Sequence, residues 1–316
     1  MSNFKKLFHG AICFLEKEDY IIPRRFTLEQ TALFPETHYF YGRTLCGASI
    51  TLELTTEADK ISFDYKFFYR SGVQSTFEVY TNGFLTHMVK DSELADEGTL
   101  DFSFEKGEKK IEIYLPNYSE TGVKNFFVNG AYKAIRKKRM KVLFIGDSIT
   151  QGGGSRRSGQ TYVNIVKRAL NYEVLNQGIG GYYCDKNIVQ EIPFTPHKIV
   201  VAFGTNHRVF EKAENKERIE EFFKALSERY NNIKTLVILP PYYGNEQTEA
   251  MKNRFKEIKK VFLNAVSKYP NIITVSAYDM IPHFIEYYLD DFVHPNGLGM
   301  EVYGRNLVNA IKKERF

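Results

Sequence analysis

Four short blocks hold residue types that acyl chemistry needs. They are Gly146-Asp147-Ser148-Ile149, Asn176-Gln177-Gly178-Ile179-Gly180-Gly181, Gly204-Thr205-Asn206-His207 and Asp290-Asp291-Phe292-Val293-His294-Pro295. A serine hydroxyl is a weak nucleophile until a base takes its proton, and His294 is a base of the right kind. A histidine works better when a carboxylate holds its tautomer and stabilises the imidazolium. Asp291, three residues before His294, is placed to do so, with Asp290 as the alternative orienter. A tetrahedral intermediate needs hydrogen-bond donors at its oxyanion. The glycine loop offers a backbone N–H and Asn206 a side-chain amide.

Each block alone has an ordinary explanation. Gly-Asp-Ser is a common turn, Ser or Asp before a helix is usually a cap, and a loop histidine is usually just a loop histidine. It is the combination that points to catalysis. Other glycine-loop chemistries lack their spacing: no Gly-Lys-Ser/Thr ending follows Gly152–Gly154, and Tyr183 stands where a dinucleotide fingerprint needs its last glycine. The Gly-x-Ser-x-Gly elbow is also absent.

In these residues the second part of the chain resembles the SGNH, or GDSL-type, hydrolase family. The blocks follow the family's order across residues 140–316. The resemblance implies a five-stranded parallel sheet between helices and hydrolysis of carboxylic esters, or acyl transfer, with no metal or other cofactor. It makes Ser148 the nucleophile, with His294 and Asp291 completing the catalytic set. The oxyanion donors become Ser148 N–H, Gly181 N–H and the Asn206 side chain. One position departs: the third block usually continues with Asp, and here it is His207, read as a structural substitution.

The elements around the blocks fit. Val142–Ile145 is a short apolar, β-branched run that ends in the Ser148 turn, as a buried parallel strand would. Further strands are expected at 173–176, 198–203, 235–239 and 272–275. Helical stripes run through Tyr162–Leu170, Ile219–Tyr230, Met251–Tyr269 and Leu298–Ile311. Repeated β-α-β units give a three-layer α/β domain. Ahead of it, apolar residues alternate through Ile50–Leu54, Ile61–Tyr69, Phe77–Val79, Leu100–Phe104 and Ile111–Leu115. An Asn82-Gly83 hairpin signal lies between. Period two with turns between short runs describes an antiparallel, jelly-roll-like β-sandwich. Phe126–Val128 is read as its last strand and Ile21–Phe26 as an edge strand, because Pro23 is tolerated there. The basic run Lys133–Arg139 reads as a solvated boundary. The division is therefore 1–136 for the sandwich and 137–316 for the hydrolase-like domain. A sandwich ahead of such a domain resembles family 2 carbohydrate esterases.

Totals narrow the partners. A net charge of +5 over 316 residues, with no basic face, gives no support for nucleic acid. No segment reaches the length of a membrane-spanning helix, and Ala11–Leu15 is too short for a signal-peptide core. Cys13, Cys46 and Cys184 are odd in number and widely spaced, which suits free thiols in the cytoplasm. The expected activity is that of a serine esterase releasing a short acyl group, acetyl above all, from a carbohydrate or similar polyol. An acyltransferase and a non-catalytic carbohydrate-binding protein are the rivals. Tyr182, Tyr183, Tyr242 and Tyr243 are candidates for substrate contact.

Overall fold

The protein is described here by a computed structural model covering residues 4–242 and 248–316. The first half holds strands β1 (Phe8–His9), β2 (Cys13–Lys17) and β3 (Tyr20–Arg24), then helices α1 (Leu28–Thr31) and α2 (Tyr39–Leu45). Strands β4 (Thr51–Thr56), β5 (Lys60–Arg70), β6 (Phe77–Thr81) and β7 (Phe84–Val89) follow. After them come β8 (Glu97–Ser103), β9 (Lys109–Tyr114), β10 (Ser119–Val128) and β11 (Tyr132–Ala134). One antiparallel sheet has the order β1-β4-β9-β6-β7, with β11 also on β4; the other runs β2-β3-β10-β5-β8. The alternating residues turn inward. Leu52, Leu54, Val79, Ile111 and Ile113 of the first sheet meet Ile61, Phe63, Tyr65, Phe102 and Val123 of the second in one core. Two sheets with facing apolar sides form the expected sandwich.

Three expectations change. The first 45 residues, which carry no clear period, still contribute three strands and two helices. β3 is not an edge strand: it lies between β2 and β10. Its ladder to β10 is confined to Ile21 opposite Val123, so Pro23 never has to donate across that seam. β10 begins at Ser119, well before Phe126.

The basic run is also not simply solvated. Part of it is β11, and Lys138 is buried in an ion pair with Glu53 of β4. Glu53 also pairs with Lys167 at 2.9 Å, and His9 meets Glu173 at 2.7 Å. Burial disfavours the Glu53 charge, yet Lys167, His9 and Lys138 together hold its carboxyl well below the usual range. Charges taken from water must be paired, so this network ties the sandwich to the elements behind it.

Those elements are β12 (Lys141–Gly146), α3 (Ser148–Gln151), α4 (Tyr162–Leu170), β13 (Glu173–Gly178), β14 (Lys198–Ala202) and α5 (Lys212–Arg229). They continue with β15 (Lys234–Leu239), α6 (Glu249–Val266), β16 (Ile272–Ser276) and α7 (Gly297–Lys313). The five strands are all parallel, in the order β13-β12-β14-β15-β16. Alternate residues face opposite helix layers. Leu143, Ile145, Val201 and Val237 pack with Phe222, Phe223 and Phe262 of α5 and α6. Val142, Phe144, Val200 and Ile238 pack with Tyr162, Tyr303 and Leu307 of α4 and α7. Phe26 and Phe40 join the first of these layers, so the segment around α2 packs beside the parallel sheet.

Candidate active site

β12 is flanked by β13 on one side and β14 on the other, with Gly146 in register with both Gly178 and Ala202. The strand order reverses at β12, and such a point opens a crevice at the carboxyl ends of the strands. The loops after β12, β13 and β14 therefore meet there, and each carries one of the sequence blocks. Asp147 caps α3 by accepting from the Ile149 N–H at 3.0 Å, which leaves Ser148 as the first helical residue with 9% of its surface exposed. Burial pushes the Asp147 carboxyl up to about 6, although the Ile149 N–H opposes it.

The block before α7 arrives opposite. Ser148 Oγ lies 2.7 Å from His294 Nε2, and His294 Nδ1 lies 2.6 Å from Asp291 Oδ2. An ionised carboxylate only accepts, so Nδ1 carries the ring proton and Nε2 is free to accept from the serine. Asp291 Oδ1 takes the N–H groups of Val293 (2.9 Å) and His294 (3.0 Å). Partial burial works against its charge, but the bonds from His294 and Val293 hold the carboxyl below the usual range. Asp291, not its neighbour Asp290, is therefore the partner of His294. Gly154 gives this loop its seat: its φ is +97°, and a Cβ there would stand 2.2 Å from Pro295 O.

The second block is tied to the same helix. Asn176 Nδ2 donates to Thr150 O at 2.8 Å, and Gly180 N–H donates to Gln151 Oε1 at 2.7 Å. Gly181 has φ +81°, and a Cβ there would lie 2.7 Å from Tyr39 Oη. Asn206 Nδ2 donates to Tyr182 O at 2.8 Å, which uses one of its two N–H groups and fixes it beside the glycine loop.

His207 is fully buried. Its Nε2 accepts from Cys184 N–H at 3.0 Å, and its Nδ1 donates to Asn215 Oδ1 at 2.8 Å. Both ring nitrogens are thus spent on bracing the Asn206 turn, Nε2 against the loop after Gly181 and Nδ1 against α5. Burial lowers its pKa to about 4, though the Asn215 bond opposes this. The unfolded chain takes up this proton near pH 6.5, and the folded protein resists it until about 4. Its contribution to stability is therefore complete above about pH 6.5 and falls by roughly 3 kcal/mol as the pH drops to about 4. Urea unfolding of wild type and His207→Gln at about pH 7 and about pH 4.5 checks this. The wild type is expected to lose roughly 2–3 kcal/mol more than the variant, and equal losses rule it out.

The aromatic candidates divide. Tyr182 is buried in the core with its hydroxyl on Asp185, so it does not face substrate. Tyr183 is half-buried and stacks on Tyr182. Tyr242 stacks on His283 at 3.8 Å, and Tyr243 lies outside the described residues. Four residues near the site lie outside the four sequence blocks. Tyr39 is 53% exposed beside Gly181, and Tyr118 Oη donates to Ser148 O at 3.2 Å. Arg43 stacks on Tyr118, and Arg25 reaches the carbonyls of Asn176 and Gly178. The run Tyr39-Phe-Tyr-Gly-Arg43 was the one local signal. Among the described residues no His, Cys, Asp and Glu cluster could hold a metal ion, and no helix is long and apolar enough to cross a membrane.

Comparison with known proteins bears on the family and the fold. The family model described as GDSL-like Lipase/Acylhydrolase family matches residues 144–302. A protein of Bacteroides ovatus described as a GDSL-like lipase is similar over 97% of this chain and 95% of its own, at 18% identity and TM-score 0.80. A salicylyl-acyltransferase from a tetracycline biosynthetic pathway is similar over 98% and 94%, at 16% identity and TM-score 0.78. A family two carbohydrate esterase from Clostridium thermocellum, in complex with cellohexaose, is similar over 85% and 94%, at 15% identity and TM-score 0.68. At these identities the structural likeness concerns the fold. No curated protein matches.

Proposed function

The chain belongs to the GDSL-like lipase/acylhydrolase family, and from that premise we propose that it is a serine esterase removing a short acyl group, acetyl above all, from a carbohydrate or similar polyol. The reading is supported above all by the unbroken chain Asp291–His294–Ser148, at 2.6 and 2.7 Å. Ser148 Oγ attacks the acyl carbonyl while His294 Nε2 takes its proton. The N–H groups of Ser148 and Gly181 and the remaining Asn206 N–H receive the oxyanion. His294 then protonates the departing alcohol, and Asp291 stabilises the imidazolium. Water, deprotonated by His294, attacks the acyl-enzyme, and the acid leaves. Residues 137–316 carry this chemistry and residues 1–136 shape its mouth. Fold kinship with carbohydrate esterases and the exposed Tyr39 ring beside Gly181 favour a sugar alcohol. The three free thiols favour the cytoplasm.

The test is covalent. A fluorophosphonate is expected to label the peptide that carries Ser148 and to abolish hydrolysis of p-nitrophenyl acetate. The octanoate ester is expected to be cleaved far more slowly than the acetate. Full activity without a label at Ser148 sinks the serine mechanism. Acyl transfer to another alcohol uses the same intermediate, and the likeness to an acyltransferase keeps it as the second reading. Acceptor competition against water separates the two.

A further inference from the structure

Arg43 sits on α2, far in sequence from the four blocks, yet its guanidinium lies against the glycine loop. A Cβ built on Gly180 would stand 3.4 Å from Arg43 Nε. Arg43 Cζ lies 4.8 Å from the centre of the Tyr118 ring, whose hydroxyl donates to Ser148 O. The cation is thus held between the residue before Gly181 and the tyrosine that touches the nucleophile's backbone. Its Nε and Nη1 are buried with no hydrogen-bond partner among the described residues. Arg43 as a whole is half-buried, but these two donors are enclosed and unpaired, and an unpaired buried donor is costly, so the fold needs a reason to keep them.

Arg25 shows what this fold does with an arginine used for structure. It is fully buried, and its Nε, Nη1 and Nη2 all donate to carbonyls, one of them that of Arg43 itself. Among the described residues, Nε and Nη1 of Arg43 have no such acceptors. Tyr39 stands four residues earlier on the same helix, on the same face, with its hydroxyl beside Gly181. A half-buried guanidinium with a phenol next to it suits the oxygens of a carboxylate or a phosphate.

We propose that Arg43, assisted by Tyr39, recognises an anionic group, and that the substrate is an acyl ester bearing a carboxylate or phosphate close to the scissile bond. This rests on the serine-esterase reading above. It assigns to the sandwich half a share in substrate selection.

Three probes place the anion differently: 4-acetoxybenzoate and 4-acetoxyphenyl phosphate on the alcohol side, and mono-4-nitrophenyl succinate on the acyl side. Each is compared with its neutral methyl ester (the dimethyl ester for the phosphate), and every kcat/KM is divided by the hydroxide-catalysed rate of the same compound. The wild type is expected to prefer at least one charged probe by roughly tenfold or more. The preference is expected to weaken with added salt. Arg43→Gln is expected to bring the ratio close to one, mainly through KM, and Arg43→Lys to retain part of it. A purely structural role for Arg43 would lower charged and neutral probes alike and leave the ratio standing, which overturns the proposal. So does a wild-type ratio near one for all three probes, a result that needs no variant to fold. Neutral esters cleaved without charge preference sink this inference alone. No cleavage of any ester sinks the esterase reading with it.

Discussion

Replacing Ser148 with alanine is expected to lower kcat/KM for p-nitrophenyl acetate by roughly 10⁴- to 10⁶-fold, with the melting temperature unchanged. The argument is geometric. Ser148 Oγ has one described side-chain partner, His294 Nε2 at 2.7 Å, and its side chain joins no core cluster. Its removal takes away the nucleophile and little packing. The oxyanion donors and the binding surface remain, which leaves some rate above that in water. Asp291→Asn is expected to cost less, roughly 10²- to 10⁴-fold. The asparagine can still accept the Val293 and His294 N–H groups and keep the loop, but it offers the imidazolium no charge. It can also turn an NH₂ toward Nδ1 and favour the wrong tautomer. Stopped assays on both variants, beside their thermal unfolding, check the pair. A Ser148→Ala enzyme within tenfold of wild type would remove the serine from the mechanism.

The difference between these two residues and Arg43 or Tyr118 also explains what the sequence reveals. Ser148, Gly181 and Asn206 are legible because each follows a strand of a regular β-α repeat, and strands β12, β13 and β14 are neighbours. Position along the chain then implies position at the site. Asp291 and His294 are legible because they share one loop, so their spacing alone puts the carboxylate within reach of the ring. The sandwich is equally readable wherever one face is buried, as in β5, where inward Ile61, Phe63 and Tyr65 alternate with outward residues. The region around α2 has no such rule. Tyr39, Arg43 and Tyr118 reach the site only because two layers of the fold pack together, and no local period encodes that packing. The basic run misleads for the same reason. Lys138 looks like surface until Glu53, 85 residues earlier, is brought against it.

Arg25→Met is expected to destabilise the protein by roughly 3–5 kcal/mol, the largest stability effect of any single change considered. Arg25 is fully buried, and burial lowers its pKa only to about 10, so it remains a cation at neutral pH. Among the described residues it meets no carboxylate. Its charge is dispersed over the carbonyls of Cys46 (2.7 Å), Asn176 (2.8 Å), Gly178 (2.6 Å) and Arg43 (2.7 Å). Methionine fills much of the same volume but donates nothing, so these carbonyls lose a partner inside the protein. Each unsatisfied buried group costs about 1–3 kcal/mol, partly recovered where water enters. Lysine can reach some of the carbonyls but not all from one ammonium, so Arg25→Lys is expected to fall between. Two of the carbonyls belong to β13 directly before the glycine loop, and one belongs to the helix that carries Tyr39. Arg25 therefore fixes the Gly181 N–H relative to both Ser148 and the sandwich residues beside it. The loss should appear twice: as a melting temperature lower by roughly 5–10 °C, and as a reduced kcat at temperatures where the variant is still folded. A variant that melts with the wild type would show that the carbonyls do not depend on Arg25. A variant that melts early but keeps full kcat would show that it holds the fold together without positioning the loop.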